Sequence, residues 1–252
     1  EAVEAFPHGL PVLPLSEPCW PVTVGTPNAK NADAVVESIE RAVSLVTAGG
    51  ASAVVTSPIA KYILTEAGFR HPGHTEFLGE LAAAQLGHSA APVMLLASRK
   101  LMVVPATVHI PLAQVPAALT FDKLISVASI AARALTTDFG IEAPRLAVCG
   151  LNPHAGEAGT LGREEIDIVS PAVQALRRQG IDVSGPHPAD TLFHDSARAN
   201  YDAAIAMYHD QGLIPFKTLA FEDGVNVTLG LPFVRTSPDH GTAFELAGTG
   251  RA

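Results

Sequence analysis

The feature that most constrains how this chain can fold is the alternation of short apolar runs with longer amphipathic segments. From Asn31 to Val46 apolar residues recur at helical spacing, and Gly49-Gly50 ends that segment. An apolar run over 52–56 then predicts a buried strand, which ends in a loop at Ser57-Pro58. Because strands separated by helices need crossover connections, this order predicts an α/β fold with a mixed, largely parallel sheet.

The same alternation continues along the chain. It predicts helices over 75–86, 121–135 and 163–178, and strands over 92–97, 101–106, 145–149, 203–207 and 225–229. A polar turn, Ser98-Arg99-Lys100, separates two of these strands and predicts a hairpin within the sheet. The first 27 residues contain six prolines and are expected to form an extended arm.

Composition excludes several classes of protein. The net charge of −9 disfavours non-specific binding to nucleic acid or to an anionic membrane. The most apolar region, 92–108, is interrupted by Arg99 and Lys100 and falls short of the roughly 18 to 20 residues that a membrane span needs. Cys19 and Cys149 cannot build a disulfide framework, and we see no targeting segment, so a cytoplasmic location is expected. Both ends are expected to be incomplete, since the chain starts without Met and stops soon after an apparent helix.

Three of the ten histidines follow predicted strands. His109 comes after 101–106, His154 after 145–149 and His209 after 203–207. Open α/β sheets bind ligands at the carboxyl ends of their strands. Three imidazoles there would suit zinc or another first-row divalent ion with open positions for a substrate. Their spacing matches no local zinc motif, and the alternative is that each histidine only belongs to a loop.

Two other groups of polar residues suggest binding of an anion. Thr75 is a plausible N-cap, next to His74, and the free N–H groups of a helix start can hold an anion. Lys217, Asn226 and Arg235 follow at intervals of nine residues near the ends of apolar runs, which suits a phosphate and a carboxylate. An ordinary helix start and isolated surface charges are the alternatives.

The sequence lacks the dinucleotide fingerprint of a Rossmann fold. Its closest approach is Gly156, Gly159 and Gly162, whose spacing of three is not G-x-G-x-x-G. A nicotinamide cofactor would therefore need another site.

Five motifs together resemble one family, 4-hydroxythreonine-4-phosphate dehydrogenase of the pyridoxal phosphate pathway. The likeness runs from about Pro11 to the end of the chain. The motifs are Thr56-Ser57-Pro58-Ile59-Ala60-Lys61, Pro72-Gly73-His74-Thr75-Glu76-Phe77, Leu151-Asn152-Pro153-His154-Ala155-Gly156-Glu157, Ala206-Met207-Tyr208-His209-Asp210-Gln211-Gly212 and Arg235-Thr236-Ser237-Pro238-Asp239-His240-Gly241-Thr242-Ala243.

The resemblance implies a fold of two interleaved α/β/α lobes over residues 1–252, akin to isocitrate and isopropylmalate dehydrogenases, with the active site in the cleft. It implies a homodimer with the site at the subunit interface and His209 reaching across from the partner. The family also has an initial strand with a Gly-Asp-Pro loop, and a final helix, that this sequence lacks. The residues that match the family's ligands are His109, His154 and His209 for one divalent ion (Zn, Mg or Co) and His74, Thr75, Lys217, Asn226 and Arg235 for the substrate.

The Asp239–Gly248 string resembles the adenosine-binding loop of decarboxylating dehydrogenases, which assigns His240, Gly241 and Thr242 to NAD or NADP. The alternative for this segment is a C-terminal helix with Ser237 as its N-cap and Pro238 at its first position.

The implied reaction is oxidation of the C3 hydroxyl of 4-phosphooxy-L-threonine to a β-keto acid, which decarboxylates to 3-amino-2-oxopropyl phosphate. Lys61 and Asp210 are both candidates for proton transfer. Three alternatives stay open: a dehydrogenase acting on threonate or erythronate phosphate or on an aromatic dihydrodiol, a metal-dependent hydrolase or lyase without a nucleotide, and a non-catalytic metal-binding relative.

Overall fold

The structure, a computed structural model, describes residues 2–71, 73–87 and 91–251, so Pro72 of the second motif lies outside it. Eight strands alternate with nine helices in this part of the chain. The strands are β1 Ala53–Val55, β2 Val93–Ala97, β3 Met102–Pro105, β4 Arg145–Cys149, β5 Asp182–His187, β6 Ala203–Ala206, β7 Val225–Leu229 and β8 Val234–Pro238. The helices are α1 Ala2–Ala5, α2 Ala32–Thr47, α3 Lys61–Glu66, α4 His74–Leu86, α5 Val115–Ala118, α6 Phe121–Thr137, α7 Ser170–Arg178, α8 Asp195–Arg198 and α9 His209–Ala220.

All eight strands belong to one sheet, in the order β1-β8-β7-β2-β3-β6-β4-β5. Strands β3, β6, β4 and β5 are parallel, as are β1 and β8, while the β2–β3 hairpin and β7 introduce antiparallel pairs. The predicted fold class is therefore confirmed, including the hairpin at 98–101. The division of the chain into two lobes stays a prediction.

The direction of the strands determines which loops meet. The carboxyl ends of β3, β4, β5, β6 and β7 lie at one edge of the sheet, together with the amino ends of β1, β2 and β8. We call this the histidine edge, because His109, His154 and His209 all follow strands that end there. The sequence-based expectation that three strand ends share one rim is met by the strand order.

Strand β6 shows how the core forms on both faces of the sheet. Ala203 and Ile205 belong to a cluster with α6 and α7, whereas Ala204 and Ala206 belong to a cluster with α9. Alternate residues of a strand point to opposite faces, so a strand covered on both faces needs an uninterrupted apolar run. A third, smaller cluster joins α2 to α4.

Seven elements were not predicted from the sequence: the helices α1, α3, α5, α8 and α9 and the strands β5 and β8. Of these, α1 lies in the arm that was expected to be extended. Helix α9 contains Gly212 and Pro215, and both residue types destabilise the interior of a helix. Gly212 is required by packing, because a Cβ there would lie 2.4 Å from Cγ1 of Val103 in β3. The glycine thus lets α9 lie directly on the sheet.

Three predicted boundaries are wrong. Ser237 and Pro238 lie in strand β8 and do not begin a C-terminal helix; only a short 3₁₀ turn, Phe244–Leu246, follows. Thr75 is not an N-cap, since the extended residue Gly73 holds that position and His74 begins the helix. The helix expected over 163–178 consists of a π-helical turn, Glu165–Val169, followed by α7.

No single helix among the described residues is long and apolar enough to cross a membrane. One bent pair, Leu112–Ala118 with Phe121–Thr137, passes on length and composition alone, with 92° between its halves.

Candidate active site

His109 and His209 form a pair at the histidine edge. Their ring centroids are 5.6 Å apart, and both line a cavity of about 260 Å³ with Asp210 and Tyr208. Two imidazoles that bind one zinc ion through nitrogens at about 2.0 to 2.1 Å have centroids at most about 6.4 Å apart. The separation of the two rings is therefore compatible with a common divalent ion.

Asp210 fixes the tautomer of His209. Nδ1 of His209 lies 2.7 Å from Oδ1 of Asp210. Since an ionised carboxylate only accepts hydrogen bonds, Nδ1 carries the hydrogen and Nε2 is left with a free lone pair. A carboxylate that orients a histidine in this way is typical of metal sites.

The surroundings also favour the neutral form of His109. Burial lowers the pKa of His109, electrostatic interactions with Lys61 and His209 lower it further, and Glu76 opposes them. A neutral imidazole is the form that binds a metal ion.

His154 lies on a separate loop after β4. It is exposed and adopts a left-handed backbone conformation, φ 51° and ψ 31°. Within the described part of this one chain, no three His, Cys, Asp or Glu side chains form a group that could hold a metal ion. The chain by itself thus brings two of the three predicted ligands together.

A second group of cationic and imidazole side chains surrounds His74. Burial, followed by the positive charges of Arg235 and Lys61, lowers the pKa of His74 to about 4. The side chain is 9% exposed, and its Nε2 is buried without a hydrogen-bond partner. His74 is therefore a neutral imidazole with an unused polar atom between two cations.

Arg235 is the cation of this group that is most deeply buried, at 4% exposure. Its two terminal nitrogens donate to the hydroxyls of Thr228 and Thr56, both at 2.8 Å, and its Nε has no partner. No carboxylate among the described residues pairs with it, and burial lowers its pKa. A buried guanidinium with neutral partners and an unused donor is suited to binding an anion.

Lys61 approaches the same region from the start of α3. A Cβ placed on Gly73 would lie 3.2 Å from its Nζ and 2.8 Å from Oε2 of Glu76. Both side chains thus pass close to the backbone that precedes His74.

The other predicted substrate residues lie on three different elements, with Asn226 in β7, Lys217 in α9 and Thr75 in α4. In the antiparallel pair of β7 and β8, Thr228 lies opposite Arg235 and Asn226 lies opposite Ser237. The four side chains therefore share one face of the sheet. Beyond the strand, the ammonium of Lys217 lies 3.2 Å from the carboxylate of Asp239. Thr75, in contrast, is half-buried in the first turn of α4, and within the described part of the chain no hydrogen bond joins its side chain to these residues.

The predicted cofactor residues line a larger cavity. His240, Gly241 and Thr242 border a space of about 620 Å³, whose other walls are mostly apolar side chains of α2, α3 and the loop after β1. His74 lines it too, so this cavity adjoins the His74–Arg235 group. Its size and apolar walls are those of small-molecule and cofactor sites, and the residues present fit a dinucleotide.

Fold and site together are those of an α/β enzyme with a buried guanidinium that has no carboxylate partner among the described residues, and with a pair of imidazoles that follow the parallel strands β3 and β6. Comparison with known proteins gives the family. The sequence profile described as "Pyridoxal phosphate biosynthetic protein PdxA" matches residues 1–252, and the chain belongs to that family.

Relatives agree with this assignment. The chain is 60% identical to 4-hydroxythreonine-4-phosphate dehydrogenase of Methylorubrum populi over 253 residues, which are 100% of the chain and 72% of the relative. It is 57% identical to the enzyme of the same name from Xanthobacter autotrophicus, with the same coverage.

Solved structures are similar as well. The crystal structure of 4-hydroxythreonine-4-phosphate dehydrogenase from Klebsiella pneumoniae superposes with a TM-score of 0.82 at 45% identity, covering 90% of this chain and 68% of that one. Terephthalate 1,2-cis-dihydrodiol dehydrogenase from Burkholderia xenovorans gives 0.68 at 32% identity, covering 92% and 72%.

Sequence reasoning missed the partners of several site residues. Thr56 and Thr228 hold Arg235, and Asp239 pairs with Lys217. Thr56 and Asp239 stand inside motifs quoted above, but nothing in the sequence pattern indicates which side chains they meet.

Proposed function

We propose that this chain catalyses the nicotinamide-dependent oxidation of 4-phosphooxy-L-threonine, with a divalent metal ion, followed by decarboxylation to 3-amino-2-oxopropyl phosphate. The observation that carries the proposal is the buried, unpaired guanidinium of Arg235 beside the neutral His74. A substrate with a phosphate and a carboxylate supplies the anion that this group lacks.

The chain's own residues take distinct parts in the proposed reaction. Arg235 binds an anionic group of the substrate, and neutral His74 donates or accepts a hydrogen bond without adding charge. When bound, the divalent ion supplies Lewis acidity toward a hydroxyl group and the nicotinamide supplies the oxidant.

For proton transfer we favour Lys61 over Asp210. The carboxylate of Asp210 is engaged by Nδ1 of His209. Lys61 carries its ammonium to the region between His109 and His74, and its charge acts on the pKa of both. A lysine placed there can exchange a proton with the reacting hydroxyl.

The metal site is proposed to be shared between two subunits. Because His109 and His209 lie close together within one chain, we propose that a second copy contributes His154, where the family resemblance implies His209. The exposure of His154 on its own loop suits that role.

The test is a nicotinamide absorbance assay with added zinc, cobalt or magnesium, with NAD and NADP compared. The substrate panel contains 4-phosphooxy-L-threonine, threonate and erythronate phosphates, and a carboxylated cis-dihydrodiol. The dihydrodiol is the second candidate, because a structure 32% identical carries that name. Reduction with none of these substrates, whichever metal is added, would contradict the proposal.

Replacement of Arg235 tests the anion site directly. Losing a charged contact in a desolvated site costs about 2 to 5 kcal/mol, so Arg235→Ala should raise KM for the phosphorylated substrate roughly 30- to 5,000-fold. Arg235→Lys keeps the positive charge without the planar guanidinium, so its KM should lie between those of the wild type and Arg235→Ala. The matched control is Arg163→Ala, an arginine whose side chain is 67% exposed. An unchanged KM in folded Arg235→Ala means that the anion binds elsewhere.

A further inference from the structure

The loop that carries His154 has an unusual backbone. Five consecutive residues, His154–Ala158, have φ between 42° and 77°. Four of them are not glycine, and the left-handed conformation is strained for an L-residue. We call this segment the left-handed turn. It persists only if contacts outside the turn stabilise it.

Glu165 supplies the strongest of these contacts. Its two carboxylate oxygens accept hydrogen bonds from the main-chain N–H of Asn152 at 2.8 Å and from Nδ2 of the same residue at 2.9 Å. Only Pro153 separates Asn152 from the turn. The main-chain N–H of Ala155, inside the turn, donates to the carbonyl oxygen of Asn152. Glu165 thus holds the residue from which the turn starts.

Glu165 is buried, with 3% exposure, and no cationic side chain among the described residues pairs with it. Burying a carboxylate without a cation is costly, and a neutral side chain of similar size would avoid that cost. Stability alone therefore does not account for a carboxylate here. A need to fix Asn152 does, because a carboxylate offers a separate oxygen to each of the two donors of Asn152.

The turn is also closely fitted to the carboxylate. A Cβ on Gly156 would lie 2.5 Å from Oε2 of Glu165, and a Cβ on Gly150 would lie 3.1 Å from Oε1. Both glycines leave room for the same side chain. Glu165 itself begins the π-helical turn Glu165–Val169, a distortion that occurs often at functional sites.

A second set of bonds connects this loop to His209. Gln211 accepts from the main-chain N of Met207 at 2.7 Å and donates to the main-chain O of Gly150 at 2.8 Å. The side chain of Gln211 therefore links the segment that carries His209 to the strand end that leads to His154.

We propose that Glu165 is a positioning residue for the metal site: through Asn152 it holds the left-handed turn and sets the direction in which His154 is presented. The proposal rests on the function proposed above, in which His154 binds the divalent ion.

The test compares Glu165→Gln with Glu164→Gln in the full chain. Glu164 is the matched control, because its Oε2 accepts from the side chain of Asn152 at 2.7 Å, while the main-chain N–H of Asn152 donates to Glu165. Zinc affinity is measured by titration calorimetry, and amide hydrogen exchange is followed over 152–160. Loss of an outer partner of a metal ligand typically costs about 10- to 100-fold in affinity. Glu165→Gln should show that loss and faster exchange in the turn, whereas Glu164→Gln should show neither.

His154→Ala separates failure of this proposal from failure of the proposed function. If His154→Ala leaves zinc affinity unchanged, the proposed metal site is wrong, while faster exchange in Glu165→Gln still supports the positioning of the turn. Unchanged exchange in Glu165→Gln, or an equal effect of Glu164→Gln, overturns the role of Glu165. If Glu165→Gln does not fold, Asn152→Ala removes one of the two bonds and must show the same direction of change; wild-type exchange and affinity there overturn the proposal.

Discussion

Replacing His74 by glutamine should make the protein less sensitive to acid. His74 is buried between Arg235 and Lys61, and its pKa in the folded state is about 4, against 6.5 as an unperturbed histidine. Protonation of His74 in the native state would place a third positive charge in this group. The unfolded chain accepts that proton more readily, so acid favours unfolding through this residue.

The sign and size follow from the two pKa values. Between pH 6.5 and pH 4 the unfolded state binds more protons at His74 than the folded state, so the free energy of unfolding rises with pH across this window. Each unit of pKa difference corresponds to about 1.4 kcal/mol, which gives about 3 kcal/mol lost on going from pH 7 to pH 4. In a chain of this size that loss lowers Tm by roughly 6 to 12 °C.

The assay is the free energy of unfolding in urea, measured from pH 7 to pH 4 in buffers without phosphate, since an anion bound beside Arg235 would stabilise the protonated ring. The wild-type curve should fall by about 3 kcal/mol more than that of His74→Gln. His8→Gln, which removes an exposed imidazole from the N-terminal arm, is the control. If the free energy of unfolding falls equally with pH in the wild type and in His74→Gln, the reasoning is refuted, because His74 would then have the same pKa in the folded and unfolded states.

Two further predictions concern the metal and the cofactor. If a subunit contributes His154 to its partner's ion, mixed dimers of His109→Ala and His154→Ala subunits contain one complete site, and random mixing should restore about a quarter of wild-type activity; no recovery would mean that His109 and His154 bind the ion from the same chain. His240→Ala should raise KM for NAD while zinc affinity, measured by calorimetry, stays near the wild-type value, because His240 lines the larger cavity and not the one beside His109. A zinc affinity reduced as far as in His154→Ala would instead assign His240 to the metal site.

Local patterns predicted the fold where strands are apolar and helices are amphipathic. The strands over 145–149 and 225–229 match β4 and β7 to the residue, and α2 differs from its prediction by about one residue at each end. Prediction failed where close packing or a buried polar side chain interrupted the apolar pattern. Helix α9 contains a glycine required by its contact with β3, and β8 contains the buried Arg235, which interrupts an apolar run.

The candidate site was predictable in part for a related reason. A histidine after a strand is visible in the sequence, and the carboxyl ends of parallel strands meet at one edge. Which two histidines form a pair depends on strand order, and β3 lies beside β6 with β4 beyond it. That order is set by contacts between residues about a hundred positions apart, so the pairing of His109 with His209 could not be obtained from spacing.

The left-handed turn has a consequence for the chirality of the chain. A D-residue has the steric preferences of an L-residue reversed, so the backbone of His154–Ala158 is one that D-amino acids adopt without strain. A chemically assembled protein with D-alanine at Ala155 and Ala158 should accept both, and each should relieve roughly 1 to 2 kcal/mol of strain. The same exchange at Ala128 or Ala131 in right-handed α6 would disrupt that helix. This short segment is thus a place where the mirror-image residue fits the native backbone better than the natural one.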